Sequence, residues 1–378
     1  MRVSEQGAEP ATVTRPRTVG RMSSAYEGGR ELHVALLGYG KGGEVFHAPL
    51  IHATPGLRLS AVVTGNAERA AAARERYPHI EVLDSADEVW QRPGDFEIAV
   101  ITTPNDSHAP LASAALKSGM AAVVDKPFAL SPARARELAE EAERFGQVLT
   151  AFHNRRWDSD FLTLLNLADG GTLGRVHRFE SRFERWRPTV ADIWRERGSA
   201  AEGAGILYDL GPHLIDQAIT LLGPVASVYP ELDTRREGSA PDDAFLALTH
   251  ESGARSHLWM SALAGAPGPR FRVLGDRAAY TVDGLDGQEA RLASGERPGG
   301  PDWGVEPETA WGHVRAGDET RVLPSERGAY PAFYAGVRDS VAEGEPAPVD
   351  LHEVVHGLQV IEAARRGAAT GEVQSPRD

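Results

Sequence analysis

"ELHVALLGYGKGG", residues 31–43, decides the fold. A short apolar run ends in glycines, which reads as a buried strand running into a tight turn. Gly38, Gly40 and Gly43 fall in the G-x-G-x-x-G spacing. In such a loop the first glycine permits the turn and the second lets backbone approach a pyrophosphate. The third lets helix and strand pack closely. The phosphates then meet the N-terminus of the following helix, where free N–H groups and the dipole favour anions. Tyr39 belongs to the same loop. Glycine spacing alone is a weak signal; its strength comes from its place after the first strand of a βαβ unit.

Working outward, the alternation continues. "LRLSAVVT" (57–64), "FEIAVITTP" (96–104), "AAVVDKP" (121–127) and "QVLTAF" (147–152) read as strands. "AERAAAARERYP" (67–78) and "HAPLASAALKSGM" (108–120) read as helices. So does "SPARARELAEEAERFG" (131–146), with Ser131 as N-cap, Pro132 in the first turn and Gly146 at the close. Residues 31–152 are therefore expected to form a Rossmann domain, a doubly wound parallel sheet with helices on both faces. The texture changes after His153. "HRFESRFERWRP" (177–188) alternates, with Phe179, Ser181 and Phe183 on one face. "DDAFLALTHESGARSHLWMSAL" (242–263) reads as two strands about a glycine turn. Residues 153–345 are expected to form an α+β domain on a largely antiparallel open sheet, with a long loop over 283–312. Residues 346–378 supply a terminal helix and tail. Residues 1–30 are polar, rich in Gly, Pro, Ser and Thr and without period, and are expected to be a disordered tail.

Composition narrows the function. The 378 residues carry a formal net charge of −14, so a nucleic-acid role has no electrostatic support. There is no cysteine, which removes disulfides and thiolate chemistry and fits a cytoplasmic setting. No run reaches the length of a membrane span, and the first residues lack the apolar core of a signal peptide.

Three further stretches carry candidate chemistry. The end of the second strand sets dinucleotide choice: NAD enzymes place an acid there for the adenosine ribose. Here Thr64 stands in its place, with Asn66 and Arg69 beyond it. Nothing repels a 2′-phosphate, so NADP is expected, with NAD as the alternative. Next, Asp125-Lys126-Pro127 ends an apolar strand at the edge where open α/β sheets bind ligands. Lys126 is either a fixed cation beside substrate and nicotinamide or a surface lysine. Finally, "GILYDLGPHLIDQAITLLG" (205–223) puts Asp209 at the mouth of a helix beginning near Pro212 and His213 in its first turn. The positive helix end lowers the histidine pKa and the carboxylate raises it, so the two are expected partly to cancel. Asp209, His213 and Asp216 could also converge on a metal. No H-E-x-x-H pattern or second spaced histidine accompanies them, and no metal is expected. Taken alone, the pair reads as a capping aspartate and a partly buried histidine.

In combination these segments resemble the Gfo/Idh/MocA oxidoreductase family, and within it the branch of NADP-dependent scyllo-inositol dehydrogenases. The likeness is carried by "GYGKGGEVFHAPLI", "ITTPNDSH", "FHNRRWDSDFLTL", "LYDLGPHLIDQ" and "DGLDGQEARLASGERP", and spans about residues 31–367. It implies an enzyme that passes a hydride between nicotinamide C4 and a secondary alcohol or ketone. By the same resemblance Lys126 contacts substrate and cofactor, Asp209 holds the substrate, and His213 exchanges the hydroxyl proton. Thr103, Pro104, Asn105 and His108 line the cofactor. Two positions depart from the pattern: the family usually has Glu at Asp125, and the branch tends to carry Ser-Arg where Thr64-Gly65 stand.

The expected substrate is a cyclic polyol or sugar, with an inositol first and a sugar or keto-deoxysugar as the alternative. Asn154, Arg155 and Trp157, at the domain junction, are the expected hydrogen-bonding groups and apolar platform for it. A homodimer or homotetramer is expected from an open sheet face. A non-catalytic NADP-binding sensor is the competing reading, which has no need of Lys126, Asp209 and His213 together.

Overall fold

A computed structural model describes residues 29–92, 94–191, 196, 198–199, 202–238 and 240–377. The expected N-terminal tail lies, but for its last two positions, outside the described residues. Strands β1 (Leu32–Leu37), β2 (Leu57–Val63), β3 (Glu81–Leu83), β4 (Ile98–Ile101), β5 (Ala121–Val124) and β6 (Leu149–Ala151) form the first sheet. Its order is β3-β2-β1-β4-β5-β6, and every neighbouring pair is parallel. β4, β5 and β6 are buried along their whole length. That is why they read as continuous apolar runs rather than alternating ones.

Helix α1 (Ala48–Ala53) is preceded by a wider first stretch, Gly42–His47, in which Ala48 N–H donates to Gly43 O. The helix after the glycine loop thus begins with a π-type turn, the form that single-turn insertions at functional sites take. α2 (Ala67–Arg76) is capped by Asn66, α4 (Asn105–Lys117) follows α3 (Asp87–Trp90), and α5 (Pro132–Phe145) is capped by Ser131 and stopped by a left-handed Gly146.

The second sheet has the order β14-β13-β12-β11-β7-β10-β9-β8. It comprises β7 (Val176–Glu184), β8 (Val225–Asp233), β9 (Asp243–His250), β10 (Arg255–Ser261), β11 (Phe271–Gly275), β12 (Ala279–Val282), β13 (Gly312–Ala316) and β14 (Glu319–Leu323). β7 and β10 run parallel; the other neighbours are antiparallel. One face carries Phe179, Phe183, Leu246, Leu258, Met260 and Phe271, all buried. Against it lies the helix Gly211–Leu222, buried throughout. The helix Leu351–Thr370 closes over β8 and reaches back to α5 and β6, joining the two sheets.

Two expectations need correction. The stretch over 283–312 is not a plain loop: it contains the helix Gln288–Ala293, too short to show a period. It is fixed by buried Gln288, whose amide donates to Trp157 O and accepts from the Trp303 indole and Tyr330 N–H. Trp157 is not a platform. Its ring is fully buried, edge-on to Phe333 at 5.6 Å, and its carbonyl also accepts from Ala329. Among the described residues, no helix is long and apolar enough to cross a membrane.

Candidate active site

At three of its positions the glycine loop leaves no room for a side chain. Gly38 has φ +98°, and a Cβ there would lie 3.0 Å from Thr102. A Cβ on Gly43 would lie 2.2 Å from Gly38 O, and one on Gly42 would lie 2.9 Å from Asp125 Oδ2. Thr102 Oγ1 donates to Gly38 O, tying the turn to the end of β4. At Gly40 the space is open, and the nearest atom to a Cβ is Arg69 Nη1 at 3.9 Å. Bare backbone next to a cation is what a bound pyrophosphate requires, so these residues fit a dinucleotide. Tyr39 does not contribute its ring. That ring is buried in the core, and burial, with Tyr77 nearby, pushes its hydroxyl well above the usual range.

At the end of β2, Thr64 Oγ1 accepts from Asn66 N–H, and Asn66 Oδ1 accepts from Arg69 N–H. No carboxylate stands at the position of the ribose-binding acid, and Arg69 reaches back over the glycine loop. After β4, Thr103 and Pro104 lead into α4. His108 is buried, with Nδ1 2.9 Å from Pro127 O and Nε2 2.8 Å from Thr103 O. It clamps this loop to the Lys126-Pro127 turn and does not face the cavity, contrary to the role implied for it. Asn105 Nδ2 donates to Gly203 O beside Lys126.

Lys126 follows β5 and forms a cis peptide bond with Pro127. Its Nζ donates to Asp209 Oδ1 at 2.8 Å and to Asp209 O at 2.7 Å. Asp125 Oδ1 accepts from Lys126 N–H. Burial would raise the Asp125 carboxyl, but His47, Lys126 and His108 together hold it below the usual carboxylate range. His47, sealed in the core, pairs Nδ1 with the Tyr334 hydroxyl at 2.6 Å and lies 3.8 Å from Asp125 through Nε2. His47 was not visible in the sequence, and Asp125 was visible only as a departure from the family's Glu, because the partners are brought together from distant stretches.

Asp209 ends the short helix Ile206–Asp209, and His213 lies in the first turn of Gly211–Leu222. Lys126, Asn154, Arg155, Asp209 and His213 line one cavity of about 210 Å³, together with Lys41 and Gly42 of the glycine loop. The structure therefore brings together the residues singled out from three separate motifs. Tyr39, His108 and Trp157 lie outside it. Arg155 is fixed by Asp158 at 3.3 Å and Glu289 at 2.5 Å. Arg156 and Asp216 form a buried bidentate pair at 2.6 and 2.8 Å, which commits Asp216 away from His213.

His213 is nearly sealed, and its Nδ1 has no hydrogen-bond partner. The imidazole lines the cavity. Burial lowers the imidazole pKa well below its ordinary value, and the Lys126 and Arg155 cations lower it further. The expected balance with Asp209 does not hold, since Asp209 is committed to Lys126. The arrangement holds a neutral imidazole, a fixed ammonium and a carboxylate around one small space. That set can move a proton and stabilise charge on an oxygen.

Residues 32–153 match the model of an oxidoreductase family NAD-binding Rossmann fold, and residues 166–374 match that family's C-terminal alpha/beta domain. The uncharacterized oxidoreductase YdgJ of Escherichia coli is 42% identical, over 88% of this chain and 94% of its own. The scyllo-inositol 2-dehydrogenase (NADP(+)) IolW of Bacillus subtilis is 32% identical, over 88% and 92%. The solved structure of the YPO2259 putative oxidoreductase from Yersinia pestis superposes with a TM-score of 0.85 at 39% identity, over 92% of this chain and 97% of that one. With both halves matched over most of its length, the chain belongs to the Gfo/Idh/MocA oxidoreductase family.

Proposed function

We propose that this protein is an NADP-preferring dehydrogenase that interconverts a secondary alcohol and a ketone on a cyclic polyol or sugar. The observation that carries the reading is the meeting of Lys126, Asp209 and His213 in the cavity that the glycine loop also lines. When bound along the glycine loop, a nicotinamide would supply the hydride chemistry at C4. In oxidation the His213 imidazole takes the hydroxyl proton as the carbon–oxygen double bond forms. The Lys126 ammonium steadies the negative charge that develops on that oxygen. Asp209 holds the ammonium in place and offers its carboxylate to a neighbouring hydroxyl. Asn154 and Arg155 are the remaining polar groups for the substrate ring. In reduction His213 returns the proton.

NADP preference is supported by Thr64 in place of an acid and by Arg69 over the loop. An inositol substrate is supported by similarity to IolW. The test is a panel of cyclitols and aldoses with NADP and NAD, followed by the absorbance of reduced nicotinamide, with His213→Ala as control. Turnover of a ring polyol or sugar that collapses in the variant supports the reading. Tight dinucleotide binding without turnover of any of them favours the sensor reading instead.

A further inference from the structure

The alternation of β7 does not stop at the end of the strand. Phe179, Ser181 and Phe183 face the core, and the same period places Arg185 and Arg187 next on that face. The backbone stays extended there: Arg185 N–H donates to Ser261 O, and Arg187 N–H to Ala262 O. Trp186 points outward and is 62% exposed. The buried face of the sheet thus runs out of apolar residues at the cavity and continues as two guanidinium groups that line it.

Three of the six cations lining this cavity are already neutralised, and Lys41, a fourth, belongs to the glycine loop. Lys126 has Asp209, and Arg155 has Asp158 and Glu289. Arg236 has Asp242 at 2.9 Å and Glu196 at 3.1 Å. Arg185 and Arg187 differ: among the described residues neither side chain has a carboxylate within ion-pair distance. Arg185 instead rests on the Phe183 ring, 4.5 Å from its centroid, and Arg155 lies 4.7 Å from the same centroid. Burial and then the neighbouring Arg187 cation lower the Arg185 pKa, against the opposing pull of Glu289 and Asp209, which are already engaged by Arg155 and Lys126. In a chain of net charge −14, a half-buried Arg185 beside an exposed Arg187, neither in an ion pair among the described residues, stands out as a charge to be answered by a ligand. The dinucleotide does not answer it, because its phosphate cradle and Arg69 belong to the first sheet.

We propose that Arg185 and Arg187 form an anion subsite, and that the physiological substrate is a ring polyol or sugar bearing an acidic group, a carboxylate or a phosphate monoester. The inference rests on the dehydrogenase reading above and names its substrate class. The planar fork of Arg185, already oriented by Phe183, suits two-point contact with such a group. That contact fixes which ring carbon faces Lys126 and His213.

The experiment compares glucose, glucuronate and glucose 6-phosphate, and myo-inositol with its 1-phosphate, on the wild type, Arg185→Met, Arg185→Lys and Arg187→Met. Turnover with NADP is measured, and calorimetry on the NADP complex reads binding independently of turnover. The expected result is that one acidic probe exceeds its neutral parent by about tenfold to a hundredfold in affinity and kcat/KM, the scale of a hydrogen bond between charged groups. Arg185→Met should abolish that ratio and Arg185→Lys should keep part of it. A preference for glucuronate identifies the group as carboxylate, and a preference for the esters as phosphate. Equal or better binding of the neutral parents, or a ratio unchanged in Arg185→Met, overturns the proposal. Acid-selective binding without turnover would sustain the subsite and overturn the dehydrogenase reading.

Discussion

Lys126 Nζ donates to both the carboxylate and the main-chain carbonyl of Asp209, at 2.8 and 2.7 Å. The contact joins the C-terminal end of a strand in the parallel sheet to the helical corner that presents His213. A single ammonium therefore ties the glycine-loop sheet to the helical corner that carries His213, the group proposed to move the proton. Two acceptors from one residue leave the cation little freedom, so its charge stays aimed at the cavity.

Lys126→Ala should lower turnover about a hundredfold or more, the scale on which a single charge stabiliser acts. Affinity for NADP, measured by fluorescence titration, should change far less. Near-normal turnover would make Lys126 an interdomain tie and nothing more.

The pH dependence follows from the direction of the His213 shift. Its pKa lies well below 6.5 because of burial and then the Lys126 and Arg155 cations. The imidazole is thus neutral across the neutral range, and kcat/KM for oxidation should be flat there, falling only on the acid side. Reduction needs the protonated ring, so its kcat/KM should rise as pH falls toward the same limb. Lys126→Met removes a cation and should move the limb upward, toward 6.5. His213→Ala should abolish the limb and lower the rate about a hundred- to ten-thousandfold. A limb that survives in His213→Ala would assign the proton to another group.

Cofactor choice is tested at the end of β2. Thr64→Asp places a carboxylate beside the expected 2′-phosphate and should reverse the preference from NADP to NAD. Arg69→Ala should weaken NADP more than NAD. Paired titrations measure both, and a wild type that prefers NAD would contradict the assignment.

A stability prediction comes from His250, buried with Nδ1 2.7 Å from Gly223 O and Nε2 2.7 Å from Ser256 Oγ. Burial chiefly lowers its pKa from 6.5 to about 4. Between those values the unfolded chain binds a proton that the folded one does not. Stability from this site is therefore full above 6.5 and lost as pH falls through 4, on the order of 3 kcal/mol in all. Denaturant midpoints should show a shallower decline over that range in His250→Asn than in the wild type. Parallel declines would remove His250 as a source.

The sheet of residues 32–151 was legible because buried parallel strands leave continuous apolar runs and because Asn66, Ser131 and Gly146 mark helix ends. Lys126, Asp209 and His213, the residues proposed for catalysis, were legible as motifs, but not their electrostatics. Sequence places Asp209 beside His213, whereas the fold turns its carboxylate to Lys126. Trp157 and His108 were misread for a related reason: an aromatic or imidazole near a site is equally suited to packing under it, and only the partners Phe333, Pro127 and Thr103 decide. His47 was hidden because Tyr334 and Asp125 come from remote stretches. Arg185 and Arg187 did leave a signal, in the alternation that continues past Phe183.

The central claim is hydride transfer to a ring ketone with the proton supplied at His213. Its most direct test gives the protein NADPH deuterated at C4, as both stereoisomers, with a mixed panel of inososes and keto sugars, neutral and acidic. Mass spectrometry then reads the products. The expected product carries a single deuterium on the new carbinol carbon from one stereoisomer, formed by the wild type and lost in His213→Ala. Bound NADPH with no labelled product from any member of the panel would contradict it.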